Sequence, residues 1–412
     1  MTAHSSRAIR FILISEILEF LALAILIPVI PPLVVGSESA LFSENTTDSH
    51  KNIVYGFLIA IFSIAQFFSA PIFGILSDKH GRKKILLMAM LFTLSGYVLA
   101  GIAVYSHNLL LLFFGRILSG FGFGSQSILF SAVADISTNE NKAKNYGLLG
   151  VAFGIAFIFG PATGGVVSSN FSLFGNRFLL PFIISTFLVM LNVLLVATSF
   201  PETNPIRKFR KFNVFAGIDN IYKALKNPTF NVLFLIVLTI GFGFNFFREF
   251  IQLYLLGKFD FQTSDLGKYF SFIGITAAIT QGGIVRILAK RFPPEPIITI
   301  ALPVLSACLL LLIFPNKAWQ LYAITFFLSM SQALIFPNMT ALISNKAGQE
   351  NQGEILGINQ SVNSMAQAIP PIIGGFVVSI QLSVPLIIAS VLTLLGWGLF
   401  MFYRISLVSN KK

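Results

Sequence analysis

The chain is poor in charge. Of its 412 residues only 11% are Asp, Glu, Lys or Arg, against about 25% in an ordinary soluble domain. That sparsity excludes a water-soluble globular protein. Cysteine is limited to Cys308, inside an apolar run, so an intramolecular disulfide is impossible. The four histidines, His4, His50, His80 and His107, fall in tails or loops, and no His/Cys cluster has metal-ligand spacing. The pattern G-x-x-x-x-G-K-[ST] is absent, which removes the phosphate cradle that nucleotide hydrolysis needs. With no nucleophile or metal constellation, an enzyme is not expected. Any work should draw on an ion gradient, with no cofactor.

What abounds is apolar surface, 55% of residues with 45 phenylalanines. The apolar runs are continuous rather than alternating, which selects helices over a β-barrel. They fall near 9–34, 53–77, 85–105, 108–134, 145–168, 178–200, 229–256, 268–289, 297–314, 318–343, 355–380 and 384–404. Each approaches the roughly 20 residues that cross a bilayer. The first run follows Arg7 and Arg10 as a signal peptide would. It nevertheless carries Glu16 and Glu19 and lacks a small-residue cleavage site, so it reads as a retained helix.

The net charge of +12 does not imply nucleic acid, because the cations cluster in loops. With the N-terminus inside, twenty-one of the 28 Lys and Arg fall on inside segments and five on outside ones; Arg116 and Arg248 stay within helices. This asymmetry places both termini in the cytoplasm. Short loops and tails point to a bacterial inner membrane. The expected partners are the lipid bilayer, protons and a small-molecule substrate, with the chain a monomer. The segment 201–228 carries Arg207, Lys208, Arg210, Lys211, Lys223 and Lys226 and three prolines. It reads as a basic linker, with room for a short amphipathic helix on the membrane surface.

An internal repeat divides the chain there. Gly147, then Gly160-Pro161-Ala162-Thr163-Gly164-Gly165, recurs at an offset of 210 as Gly357, then Pro370-Pro371-Ile372-Ile373-Gly374-Gly375. The expected architecture is therefore all-α and membrane-integral. Twelve transmembrane helices form two pseudo-symmetric six-helix bundles, 1–200 and 229–412.

Between the second and third helices lies Gly74-Ile75-Leu76-Ser77-Asp78-Lys79-His80-Gly81-Arg82-Lys83-Lys84. The pattern G-x-L-S-D-x-x-G-R-K resembles the loop 2–3 signature of the major facilitator superfamily. A plain stop-transfer cluster would explain the cations but not the Gly–Asp–Gly spacing. A decayed copy follows the eighth helix, where Lys290 replaces the Asp and Pro293 the second Gly. In the fifth helix Gly147 to Gly165 is similar to the antiporter signature of that family, with Ala156 at its middle glycine. Glu19 to Pro31 looks like the first helix of tetracycline-type exporters, and Arg116 in Gly115-Arg116-Ile117-Leu118-Ser119-Gly120 like the family's fourth-helix arginine. Pro201-Glu202-Thr203 after the sixth helix also looks typical.

The resemblance is strongest to the drug:proton antiporter group. It implies proton-coupled export of small, partly apolar molecules by alternating access. It implies that Glu19, aided by Glu16, carries the proton and that Arg116 tunes it. It implies a conformational latch of Gly74, Asp78, Gly81, Arg82 and Asp135, with Asp78 meeting a helix N-terminus and Arg82 pairing with Asp135. Gly147, Gly160, Pro161, Gly164 and Gly165 would let the fifth helix pack closely and bend.

Independently of any family, five charges lie inside spans: Glu16, Glu19, Arg116, Arg248 and Glu249. Each is costly there and so a functional candidate. Asn245, Arg248, Glu249 and Gln252, beside Phe246, make one polar stripe on the seventh helix; Asn359, Asn363 and Gln367 make another on the eleventh. Both stripes read as substrate-cavity walls, or as polar helix–helix contacts. Two alternatives stand beside export. One is a proton-coupled symporter importing a nutrient, amino acid or siderophore. The other is a non-transporting sensor or assembly partner.

Overall fold

The computed structural model describes residues 3–36, 39–138, 142–204 and 215–409. In chain order its α-helices are α1 (Ala3–Leu26), α2 (Ile30–Val35), α3 (Asp48–His80), α4 (Arg82–Tyr105) and α5 (Leu109–Gly122). There follow α6 (Gln126–Asp135), α7 (Lys142–Asn170), α8 (Leu179–Ser199), α9 (Ala216–Lys226) and α10 (Asn231–Phe259). The last five are α11 (Thr263–Ile279), α12 (Val285–Arg291), α13 (Pro294–Leu311), α14 (Ala318–Val378) and α15 (Val384–Ser409). Among the described residues there is no strand, only an isolated bridge between Leu173 and Asn176. Twelve spans are long and apolar enough to cross a membrane. The chain is thus a multi-pass, all-α membrane protein with twelve spanning helices, as its apolar runs require.

Five spans depart from the simple helices that hydrophobicity suggests. The first breaks at Ile27–Val29, between α1 and α2, where Pro28, Pro31 and Pro32 supply no backbone N–H. The fourth breaks between α5 and α6 into a 3-10 turn, Phe123–Ser125. The eighth passes through a π segment, Thr280–Ile284, between α11 and α12, at the Gly282-Gly283 pair. The tenth and eleventh spans, Ala318–Ala347 and Ile355–Val378, lie within one continuous helix, α14.

The chain forms two compact units. One comprises Met1–Thr46, Ile61–Phe215 and Phe261–Gly274; the other comprises Thr47–Ala60, Ala216–Asp260 and Ile275–Lys412. Helices α3 and α11 each contribute to both. The first unit has a core of Ile12, Phe73, Leu86, Ile128, Leu149 and Val196, drawn from six successive spans. In the second unit α13 and α15 are joined reciprocally: Ser306 Oγ donates to the Ser390 carbonyl at 2.9 Å and Ser390 Oγ to the Ser306 carbonyl at 2.8 Å. Such polar ties and close packing hold helices together where lipid is as apolar as the side chains. Leu110, Phe159, Ile300 and Phe402 point outward, as lipid-facing residues should.

Of the linker, only its ends and α9 fall among the described residues; Arg207, Lys208, Arg210 and Lys211 lie outside them. Helix α9 is amphipathic. Gly217 and Ala224 are buried, while Ile218, Tyr222 and Leu225 are exposed beside Lys223 and Lys226.

Candidate functional site

Glu16 and Glu19 lie one turn apart on α1 and are almost fully buried, 1% and 2% exposed. Helix α8 fixes α1 on both sides of them. Asn192 Nδ2 donates to the Ser15 carbonyl at 3.1 Å and Ser185 Oγ to the Ala22 carbonyl at 2.8 Å. Ser125 Oγ donates to Glu19 Oε1 at 2.5 Å. With its amide nitrogen inward, Gln126 donates to Glu16 Oε1 and Oε2 at 2.9 and 3.2 Å. Phe20, next to Glu19 in the chain, packs edge-on against Phe123 and Phe153. Arg116, also buried, places its guanidinium 4.3 Å from the Phe62 ring centroid, a cation–π arrangement. Buried Tyr97 on α4 is within electrostatic reach of both Arg116 and Glu19. The structure therefore brings the two carboxylates together on α1, and Arg116 is connected to their surroundings through Phe62, which packs against Phe123.

The loop 2–3 residues form a second cluster. Gly81 sits at the N-cap of α4 with φ of 99°, a backbone conformation that only glycine takes without strain. Arg82 turns inward from the first turn of α4, with its side chain 6% exposed. Its guanidinium meets Asp78 at 2.7 Å, Asp135 at 2.9 Å and Ser77 Oγ at 2.7 Å. Gly74 lies beside Ser127, whose hydroxyl donates to the Ala70 and Gly124 carbonyls at 2.8 and 2.9 Å. In the decayed copy Pro293 caps α13 at φ −66°, so that turn needs no glycine.

Sequence reasoning missed the role of Glu202. Its carboxylate accepts from the backbone N–H of Arg82 at 2.9 Å, of Lys83 at 3.3 Å and of Asn204 at 3.0 Å. A carboxylate at a helix start satisfies orphan donors and complements the helix dipole. Thr203 Oγ1 adds a bond to Asp135 at 3.3 Å and Asn204 Nδ2 one to the Asp78 carbonyl at 3.4 Å. The Pro-Glu-Thr signal was visible, but its partner lies 120 residues away in sequence.

The fifth-helix glycines are not equivalent. A methyl on Gly164 would strike the Ile25 carbonyl of α1, and one on Gly160 the Ala24 side chain. One on Gly165 would come within 2.8 Å of the Thr263 carbonyl of α11. A methyl on Gly147 would meet nothing within 4 Å among the described residues outside its own helix backbone. Pro161 is accommodated inside α7, and Ala156, where the motif has glycine, is fully buried. Gly164→Ala should therefore lower thermal stability in detergent by about 1–3 kcal/mol through overpacking. Gly147→Ala should raise it by about 0.5–1 kcal/mol through backbone entropy. Equal effects at the two positions would refute this distinction.

In the second unit, Asn245, Phe246, Gln252 and Asn359 are buried, while Arg248, Glu249, Asn363 and Gln367 are partly exposed. Arg248 pairs with its neighbour Glu249, Nη2 to Oε1, at 2.6 Å. Tyr55 Oη donates to the Glu249 carbonyl at 3.0 Å. Two asparagines spend a donor within their own helices: Asn245 Nδ2 on the Gly241 carbonyl at 2.8 Å and Asn363 Nδ2 on the Asn359 carbonyl at 2.9 Å.

The Major Facilitator Superfamily model matches residues 12–371 and 287–412. Multidrug resistance protein 2 of Bacillus subtilis is 24% identical over 97% of this chain and 96% of its own length. Quinolone resistance protein NorA of Staphylococcus aureus is 28% identical over 92% of each chain. The class H tetracycline resistance protein of Pasteurella multocida is 25% identical over 91% of this chain and 90% of its own. Among solved structures, the human organic anion transporter MFSD10 superimposes with a TM-score of 0.73 at 20% identity, covering 96% of this chain and 99% of its own. The twelve spans, the loop 2–3 cluster and these matches agree: the chain belongs to the Major Facilitator Superfamily and is a membrane transporter, not an enzyme.

Proposed function

We propose that this protein exports small, partly apolar molecules in exchange for protons, by alternating access. The observation that carries the reading is the burial of Glu16 and Glu19, one turn apart on α1. A membrane protein keeps carboxylates in its apolar interior at a cost, and most often where they handle ions. The names of the relatives, resistance proteins for several drugs, favour drug-like cargo. In this reading Glu19 binds the proton, Glu16 assists and Arg116 tunes the site. Gly74, Asp78, Gly81, Arg82 and Asp135 form the latch, with Asp78 at a helix N-terminus in one state. Gly147, Gly160, Pro161, Gly164 and Gly165 shape the gating helix. Asn245, Phe246, Arg248, Glu249, Gln252, Asn359, Asn363 and Gln367 line the substrate path. Two six-helix halves flank the 201–228 linker, with both termini cytoplasmic in a bacterial inner membrane. The transporter works as a monomer and needs no cofactor beyond the proton gradient.

A second reading has one observation in its favour. The Arg248–Glu249 pair, partly exposed on α10, offers both charges to a zwitterionic solute, as an importing symporter would need. Purified protein in liposomes with an imposed pH gradient separates the two. Internal pH is followed while drugs, amino acids and siderophores are added in turn. Antiport is expected, with protons moving against the compound; protons moving with the compound would establish the importer instead.

A further inference from the structure

The fourth span breaks beside the two carboxylates. Helix α5 ends at Gly122, a 3-10 turn covers Phe123–Ser125, and α6 begins at Gln126. Glycines make the break possible. A methyl on Gly122 would strike Thr93 of α4, and one on Gly124 would strike Ser69 of α3, so backbone sits on backbone on both sides. In a regular helix consecutive side chains diverge by about 100°. Here consecutive residues reach carboxylates on successive turns of one face of α1, Ser125 to Glu19 and Gln126 to Glu16.

The two partners share a chemical property. A serine hydroxyl donates to a carboxylate and, by rotating, accepts from a carboxylic acid. A glutamine amide offers nitrogen to the anion and, turned over, oxygen to the acid. Lysine or arginine could serve only the anion. We propose that Ser125 and Gln126 are positioning residues dedicated one to each glutamate. Each keeps its own carboxyl group hydrogen-bonded in both protonation states.

The charged and titratable groups facing this site are few. Glu16 and Glu19 come from α1, Tyr97 from α4 and Arg116 from α5; α6 carries only Asp135, at its far end, where Arg82 engages it. Helix α8 has no titratable side chain; α7 has Lys142, Lys144 and Tyr146 in its first turns, with Tyr146 bonded to the Phe130 carbonyl at 3.2 Å.

The proposal rests on the carboxylates being the coupling site, but its test is independent of transport. Purified full-length protein is treated with dicyclohexylcarbodiimide, which attacks protonated carboxyls in apolar surroundings. Labelling of Glu16 and Glu19 is read separately by mass spectrometry across pH. Because a bond to the anion is stronger than one to the acid, Ser125→Ala should move the midpoint of Glu19 by roughly one pH unit and that of Glu16 by clearly less. Gln126→Leu should move Glu16 more than Glu19. Ser125→Thr, which keeps the hydroxyl, should restore the parent profile. Thermal unfolding confirms that each variant is folded, and Gln126→Met replaces Gln126→Leu should the latter not fold. Two unmoved midpoints, or both midpoints moving equally in either variant, would overturn the proposal. Failure of the antiport reading would appear instead as absent proton flux in liposomes, whatever the labelling pattern.

Discussion

Glu19→Gln is expected to leave a folded protein whose transport no longer responds to a pH gradient. The substitution keeps shape and volume and replaces the only part of the side chain that titrates. Ser125, whose hydroxyl lies 2.5 Å from Glu19 Oε1, can still bond the amide oxygen, so packing around the 2%-exposed side chain is preserved. What disappears is the change of charge. An antiporter without it can equilibrate its cargo but not concentrate it, because the opposing proton has no seat. Liposomes preloaded with cargo and given a pH gradient should show exchange at the rate seen with no gradient. Glu16→Gln, whose partner is Gln126, should retain part of the gradient response. Full gradient-driven transport by the Glu19→Gln protein would remove this residue from coupling.

Arg82→Ala should give the largest loss of stability of any single substitution in the first unit. Arg82 is buried and serves Asp78, Asp135 and Ser77 at once. Its removal leaves two carboxylates, about a fifth exposed, facing each other with no cation between. Stripping one partner from a buried ionic cluster costs about 3–5 kcal/mol, and partial solvent access brings the expected loss towards the lower end. Arg82→Lys should recover part of it, since lysine restores the charge but not the planar fork that spans two acceptors. Asp78→Asn should behave differently. It keeps Arg82 paired with Asp135, so expression and cargo binding should survive while transport is lost. Thermal unfolding in detergent, read beside liposome transport, separates the two effects; an Arg82→Ala protein as stable as the parent would contradict the geometry.

Much of this was legible in the sequence because it depends on local composition. A span needs about 20 apolar residues wherever it packs, so all twelve could be counted before any contact was known. The Arg82–Asp135 pair followed from motif resemblance, and the burial of Glu16 and Glu19 from their place inside an apolar run. What stayed hidden depends on tertiary approach. The sequence Gly122-Phe123-Gly124-Ser125 is apolar enough to read as plain helix, and its break appears only where α3 and α4 press against it. Ser125 and Gln126 look like ordinary polar residues until α1 is laid beside them. Gly147 and Gly164 belong to one motif, yet only contact with α1 tells the open position from the crowded one. The Arg248–Glu249 pair joins neighbours in the chain, which a reading by helical stripes treats as separate contributors to a wall.

The capping of α4 by Glu202 has a consequence for building hybrid transporters. Judged by hydrophobicity, the sixth span ends near Ser199, and a splice there would seem to carry over a whole half. Residues 202–204, however, are bonded to Arg82, Lys83, Asp78 and Asp135. A hybrid joined at Ser199 would set one protein's helix start against another protein's carboxylate. Crossing over after Asn204 keeps donor and acceptor from the same parent, so a join that preserves these bonds lies a few residues beyond the last membrane-spanning residue of α8.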